Sequence, residues 1–255
     1  MTKIILSGIG GKMGRAILAL AKKSTKYEIV CGVDKADTSD IDVPVFSSFD
    51  YVTGIDADVI VDFSRPNALD SMLQYALKTK TNIVIATTGY TSEDLLKIVN
   101  ASNEIAIFKA SNMSLGVNLV ANLVKQAASF LGKDFDVEII EQHHNQKIDA
   151  PSGTALTLAK KVNEAFDDKY KIIEGRSGAN CKRMHDEISI CSVRGGTIVG
   201  KHDVLFIGNN ETVTISHEAT SRDIFGAGAL KAAAFLEDKE HGVYDMDNLI
   251  ADMLG

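Results

Sequence analysis

The 255-residue chain has no tryptophan, only three prolines and three cysteines, and fewer positive than negative side chains. Each shortage excludes something. Cys31, Cys181 and Cys191 are odd in number, widely spaced and form no Cys-x-x-Cys pair, so neither a disulfide framework nor a zinc ribbon is expected. They read as small buried hydrophobes. Lys and Arg total 27 against 34 Asp and Glu, and a formal charge of -7 offers no attraction to phosphate backbones or anionic lipid. Nucleic acid and membrane partners are therefore not expected. Apolar runs are short, as at Ile4, Ile5 and Leu6, which leaves no membrane span of about 18 residues. Met1, Thr2 and Lys3 lead straight into that strand-like segment with no secretory signal, so a cytoplasmic protein is expected.

What is present is ordinary globular material. With 45% hydrophobic and 24% charged residues, the chain has the apolar content to bury a core as one large domain or two modest ones. Through about residue 110, β-branched runs alternate with helical stretches. Strands are expected at 3–7, 28–33, 58–62, 82–86 and 105–108. Between them, Met13, Ala16, Ile17 and Leu20 share a helical face, as do Ala68, Met72, Tyr75 and Ala76, and then Leu95, Ile98 and Val99. This is the pattern of a parallel sheet covered on both sides by crossover helices.

After Met113 the rhythm changes. Helices near 115–131 and 154–166 bracket a strand at 137–140, and strands at 187–193, 198–199, 204–207 and 213–217 follow without helices between them. A last helix through Leu236 could return to the first domain. The expected fold class is α/β: a Rossmann-type parallel-sheet domain plus a smaller α+β domain with a mixed sheet.

Gly8, Gly10, Gly11 and Gly14 lie between the first strand and the first helix, where glycines allow a tight turn and a close approach of backbone N–H groups to a pyrophosphate. The spacing is not a strict G-x-G-x-x-G, and such a turn also serves strand–helix packing alone. Asp34 ends the second strand, where an acid would bond ribose hydroxyls. It repels a 2'-phosphate, whereas Lys35 would attract one, so use of both NADH and NADPH is expected. The loops Asp62 to Pro66 and Ala86 to Tyr90 fall at the sheet's carboxyl edge, although ordinary connections also have these compositions.

The run from Glu141 to Ala155 carries the strongest signal. His143 and Lys147, four residues apart, lie on the same side in either a strand or a helix, so they can act on one ligand. Pro151, Ser152, Gly153 and Thr154 then open a helix whose N–H groups suit a carboxylate. Paired histidines are often simply satisfied core or surface groups. A metal site using Glu141 and His143 is disfavoured, because adjacent histidines in a strand point to opposite faces. Together with a nucleotide domain, the pattern suits a reductase of a small acidic substrate. Another two-domain nicotinamide dehydrogenase and a nonenzymatic nucleotide-binding redox sensor are the rival readings.

The chain resembles the 4-hydroxy-tetrahydrodipicolinate reductase (dihydrodipicolinate reductase) family nearly end to end. The likeness runs through Gly8 to Arg15, Asp62 to Ser64, Thr87 to Gly89, Ser114 to Asn118, Glu141 to Ala155, Ser192 to Gly196, Gly200 to His202, His217 to Ala219, Phe225 to Ala229 and Gly242 to Met246. The resemblance implies a dinucleotide-binding domain at 1–113 completed by 223–255, and a substrate-binding and tetramerisation domain at 114–222. It implies NADH or NADPH as hydride donor, a small dicarboxylate substrate, and a homotetramer. His143 is the implied acid/base and Lys147 the implied proton-donating lysine, with His144, Gly153 and Thr154 at substrate-binding positions. Cofactor contacts are implied for Gly8, Ile9, Gly10, Gly11, Lys12, Met13, Asp34, Lys35, Ala86, Thr87, Thr88, Ala110, Ser111, Asn112 and Met113. Three positions depart from the family pattern: Ala86 replaces a usual glycine, Met113 an aromatic residue and Phe235 a frequent tryptophan.

Overall fold

A computed structural model describes residues 1–255, with every side chain except that of Leu254. The chain forms two compact units, Met1–Leu115 with Arg222–Gly255, and Gly116–Ser221. No helix among the described residues is long and apolar enough to cross a membrane.

The first unit is built on a seven-stranded sheet in the order β12-β6-β5-β4-β1-β2-β3. Its strands are β1 (Thr2–Ser7), β2 (Tyr27–Val33), β3 (Val45–Phe46), β4 (Val59–Asp62), β5 (Asn82–Ile85), β6 (Ala106–Lys109) and β12 (Gly242–Tyr244). All pairings are parallel. Apolar runs are required here because alternate residues face opposite layers and both layers are covered. Ile4 and Leu6 pack with helices α1 (Lys12–Lys22), α6 (Asp223–Phe235) and α7 (Met246–Leu254). Ile5, Ile60 and Ile83 pack with α2 (Leu69–Thr79) and α3 (Ser92–Ala101) on the other side. β1 and β4 are neighbours at the point where strand order reverses, so the loops following them open into one crevice.

Two glycines make that crevice's wall possible. Gly8 has φ +80°, and a Cβ there would lie 2.5 Å from the Phe63 carbonyl oxygen. A Cβ on Gly14 would run into the carbonyl oxygen of Gly8, so α1 can start this close to β1 only with glycine.

The second unit holds a five-stranded mixed sheet in the order β11-β10-β7-β9-β8. β7 (Asp136–His143) pairs antiparallel with β10 (Gly200–Ile207) and parallel with β9 (Glu187–Arg194). β11 (Thr212–Ala219) and β8 (Lys171–Glu174) are the edges. Helices α4 (Leu115–Leu131) and α5 (Gly153–Glu164) lay Val124, Ala128, Leu158 and Val162 on Val137, Ile139, Ile190 and Phe206.

The structure differs from the sequence expectation in several details. Residues 198 and 199 precede β10 rather than forming a strand of their own, because the chain turns after Gly195 and Gly196. Helix α3 buries Ile98 and Ala101 but leaves Leu95 and Val99 exposed, since only one flank of it meets the sheet layer. The helical faces that pack are Gly14, Ile17, Leu18 and Ala21 on α1 and Leu69, Met72, Leu73 and Ala76 on α2, each rotated slightly from the expected stripe. Of the cysteines only Cys31 is buried, where burial pushes its thiol up to about 11. Cys191 follows inward-facing Ile190 and so points outward, and Cys181 lies in a loop.

Candidate active site

In the first unit, a cavity of about 720 Å³ is walled by Gly8, Gly10, Gly11, Asp34 and Lys35, with Ser64 and Arg65 from the loop after β4. Asp34 does more than face it. Its Oδ2 accepts the Gly10 N–H at 2.8 Å and its Oδ1 the Ala36 N–H at 2.9 Å, so one carboxylate ties the glycine turn to the end of β2. A carboxylate has about four acceptor sites, which leaves capacity for ligand hydroxyls. Arg15 braces the turn from behind, through Nε to the Gly10 carbonyl at 3.1 Å and through its guanidinium to Asp40. Lys35 is exposed on the cavity wall.

A second cavity, of about 250 Å³, is lined by Met13, Ala86, Ser111, Asn112 and Met113 together with Phe63 and Phe225. Ile9, Lys12, Thr87, Thr88 and Ala110 line neither cavity. Ile9 is buried under the turn, Thr87 is buried, Lys12 and Thr88 are exposed, and the Ala110 N–H extends the sheet ladder to the Ile85 carbonyl.

Composition alone did not reveal how the loops after β4 and β5 are joined. Buried Asp62 accepts from the Ser64 hydroxyl at 2.5 Å and from the Tyr90 hydroxyl at 3.4 Å. Burial, reinforced by the Asp62 charge, pushes the Tyr90 phenol well above its ordinary range and keeps it a donor.

The second unit gathers its polar groups at the carboxyl end of β7. Period-two alternation puts Val137, Ile139 and Glu141 on one face of the strand, so Glu141 occupies a core position with no exposed surface. Arg194, opposite His143 in the β7–β9 register, grips the carboxylate with two bonds, Nη1 to Oε2 at 2.8 Å and Nη2 to Oε1 at 2.7 Å. The Ser152 N–H reaches Oε1 at 3.2 Å, and His143 Nδ1 lies 2.6 Å from Oε2. Burial alone would raise the Glu141 carboxyl, but hydrogen bonds from Arg194, Ser192 and His143 outweigh it and hold the group at about 2. Burial also leads for His143 and pulls its pKa below the ordinary value. Glu141 opposes that shift, while the charges of Lys147 and Arg194 add to it.

Lys147 lies in the turn after β7, with Nζ 2.7 and 2.8 Å from the two Asp149 carboxylate oxygens. His144 is half-buried. Gly153 begins α5 and is exposed, with open space where a Cβ would stand, and Thr154 follows it, half-buried. Ser152 caps that helix by accepting the Ala155 N–H at 3.1 Å. The structure thus brings His143 and Lys147 to one strand end beside the start of α5. In the sequence, Glu141 stands out only as a disfavoured metal ligand, and nothing local marks Asp149 or Arg194. The one available signal for Glu141 was an acid standing where alternation predicts an apolar residue.

A Rossmann-type sheet with a glycine-walled crevice, and a separate unit carrying a carboxylate-bonded imidazole near a lysine, define a two-unit nucleotide-dependent oxidoreductase. Residues 2–113 match the family model described as dihydrodipicolinate reductase, N-terminus, and residues 116–250 its C-terminus. The chain belongs to the dihydrodipicolinate reductase family. It is 48% identical to the 4-hydroxy-tetrahydrodipicolinate reductase of Clostridium tetani, over 98% of this chain and 97% of that one. The Caldanaerobacter subterraneus subsp. tengcongensis reductase of the same name is also 48% identical, over 98% of each chain. Among solved structures, dipicolinate-bound dihydrodipicolinate reductase from Paenisporosarcina sp. TG-14 superposes with a TM-score of 0.81 at 27% identity, covering 97% of this chain and 99% of that one.

Proposed function

We propose that this chain reduces 4-hydroxy-tetrahydrodipicolinate to tetrahydrodipicolinate with loss of water, using NADH or NADPH. The observation that carries the reading is the meeting of His143, its carboxylate partner and Lys147 at the end of β7, in a family whose relatives carry this activity in their names. Dipicolinate, the ligand named with the Paenisporosarcina relative, has the planar dicarboxylate form expected of the substrate class.

The first unit suits a dinucleotide. Glycines stand where any Cβ would crowd the turn, and Asp34 is aimed at the same cavity. Gly8, Gly10 and Gly11 would hold the pyrophosphate region and Asp34 the ribose, while Met13, Ala86 and Met113 would flank the nicotinamide end. When bound, a reduced nicotinamide would supply the hydride for C4 of the dehydrated ring. His143 then delivers a proton from Nε2 to the neighbouring ring carbon, where the negative charge accumulates. Lys147 holds one substrate carboxylate, using a donor not taken by Asp149. The backbone of Gly153 and the hydroxyl of Thr154 hold the other at the positive end of α5. The reading also assigns nucleotide binding to the first unit and substrate binding to the second, and a homotetramer joined through the second sheet. The exposed edge strand β11, with Val213 outward, supports that assembly.

The test is direct. Purified protein is mixed with freshly formed condensation product of aspartate semialdehyde and pyruvate, and NADH and NADPH absorbance are followed separately. Absorbance is expected to fall with both, and no change with either overturns the proposal.

A further inference from the structure

Glu141 is a fully buried acid that the reaction scheme above does not use. A carboxylate survives in a core position only when its lone pairs are bonded. Here the bonds come from three directions: the Arg194 fork from β9, the Ser152 N–H from the start of α5, and His143 two residues along the same strand. Both oxygens already accept from Arg194, so Glu141 has no proton to give. The proton between Glu141 and His143 must therefore sit on Nδ1 of the imidazole.

We propose that Glu141, clamped by Arg194, is the positioning residue that fixes the tautomer and ring orientation of His143, leaving Nε2 as the atom that exchanges protons with substrate. The inference rests on His143 acting as the acid in the proposed reaction. Three further observations support it. Gly200 on β10 leaves the Nε2 edge clear, since a Cβ there would stand 3.1 Å from Nε2. His202, also on β10, meets the imidazole edge-on with ring centroids 5.2 Å apart, which restricts rotation. The backbone is held as well, by the Gly195 N–H bonded to the His143 carbonyl at 2.9 Å. The charged and titratable groups facing the ring are therefore Glu141 on its own strand, Arg194 on β9, His202 on β10 and Lys147 in the following turn. Because Arg194 neutralises Glu141, the ring gains a fixed hydrogen bond without the full pull of an unpaired carboxylate, and it remains able to release its proton.

The rival account is that Glu141 and Arg194 merely staple β7 to β9. Full-length Glu141→Gln separates the two. Its amide oxygen must turn to Arg194 and its amino group to His143, which forces the proton onto Nε2. The positioning role predicts a fall in kcat of about 10- to 100-fold, KM for the cyclic imine within about twofold, and unchanged dinucleotide affinity. It also predicts a shift of the kcat–pH profile toward acid, because the imidazolium has lost its partner. Arg194→Lys, which keeps the charge but loses the fork, is expected to lie between wild type and Glu141→Gln. An unchanged kcat and pH profile in folded Glu141→Gln overturns the inference.

If that variant does not fold, imidazole 15N spectra of the wild-type protein decide, with the His143 signals assigned by their loss in His143→Gln. A neutral ring protonated at Nδ1 is expected, and one protonated at Nε2 overturns the role. His143→Gln with full turnover would sink the reaction assignment itself. An impaired His143→Gln beside an unaffected Glu141→Gln removes only the positioning role.

Discussion

His202 Nε2 lies 3.0 Å from the Ser152 hydroxyl, with both residues buried, so the cap of α5 leans on an uncharged imidazole. Burial, with a smaller push from the neighbouring His143, pulls His202 from 6.5 down to about 4. An unfolded chain takes up this proton first as pH falls, so the stability contribution is complete above pH 6.5 and is lost on descending to about 4. The loss amounts to about 3 kcal/mol at most. Glu141, held at about 2, adds a second acid-sensitive window between 4.5 and 2. Urea midpoints measured across pH should drop through the first window in wild type and less steeply there in His202→Gln, where the lowered pKa values of His143 and His217 still contribute. Equal slopes would show that His202 does not control the acid limb.

His143→Gln and Lys147→Ala are each expected to lower kcat by about 10² to 10⁴ while dinucleotide affinity is retained. Lys147→Ala should also raise KM, because it removes a carboxylate anchor. Single-turnover kinetics and nucleotide titration check both, and near-wild-type turnover in the two variants would remove their assigned roles.

Dicarboxylate binding should carry a proton with it. His143 is held below its ordinary pKa by burial first and then by Lys147 and Arg194, and two incoming carboxylates oppose those cations. Calorimetric titration with dipicolinate near pH 7, in buffers of different ionisation enthalpy, should show fractional proton uptake that disappears in His143→Gln. Uptake of the same size in that variant would place the titrating group elsewhere.

Lys35→Ala is expected to raise KM for NADPH several-fold more than for NADH, because only NADPH brings a 2'-phosphate toward the exposed ammonium group. Parallel steady-state assays with the two nucleotides decide it. Identical changes would leave Lys35 as a solvated surface charge.

Much of the first unit was legible in the sequence because its signals are local. β1 reads as an apolar run leading into a glycine cluster, and in the second unit α5 likewise begins where Pro151, Ser152 and Gly153 announce a helix. β3 and β12 were not legible because they contain two and three residues, too few for any period to show. β8 is as long as β4 to β6, but it is a half-exposed edge whose only apolar residues are Ile172 and Ile173, so it lacks their continuous apolar run. The link between Glu141 and Arg194 was hidden for a different reason. The two residues are 53 positions apart, and only the parallel register of β7 with β9 brings the second strand's last side chain over the first strand's buried acid. Hydropathy can mark Glu141 as out of place, but it cannot name the residue that compensates.

The two hydrogen bonds accepted by Asp34 bear on any attempt to redesign nucleotide preference. Neutralising this acid is the obvious way to welcome a phosphorylated ribose, yet the same change weakens the tie between Gly10 and the end of β2 and slackens the glycine turn. Engineering should instead begin at Lys35 and Arg65, which border the same chamber, and leave the aspartate in place as part of the scaffold.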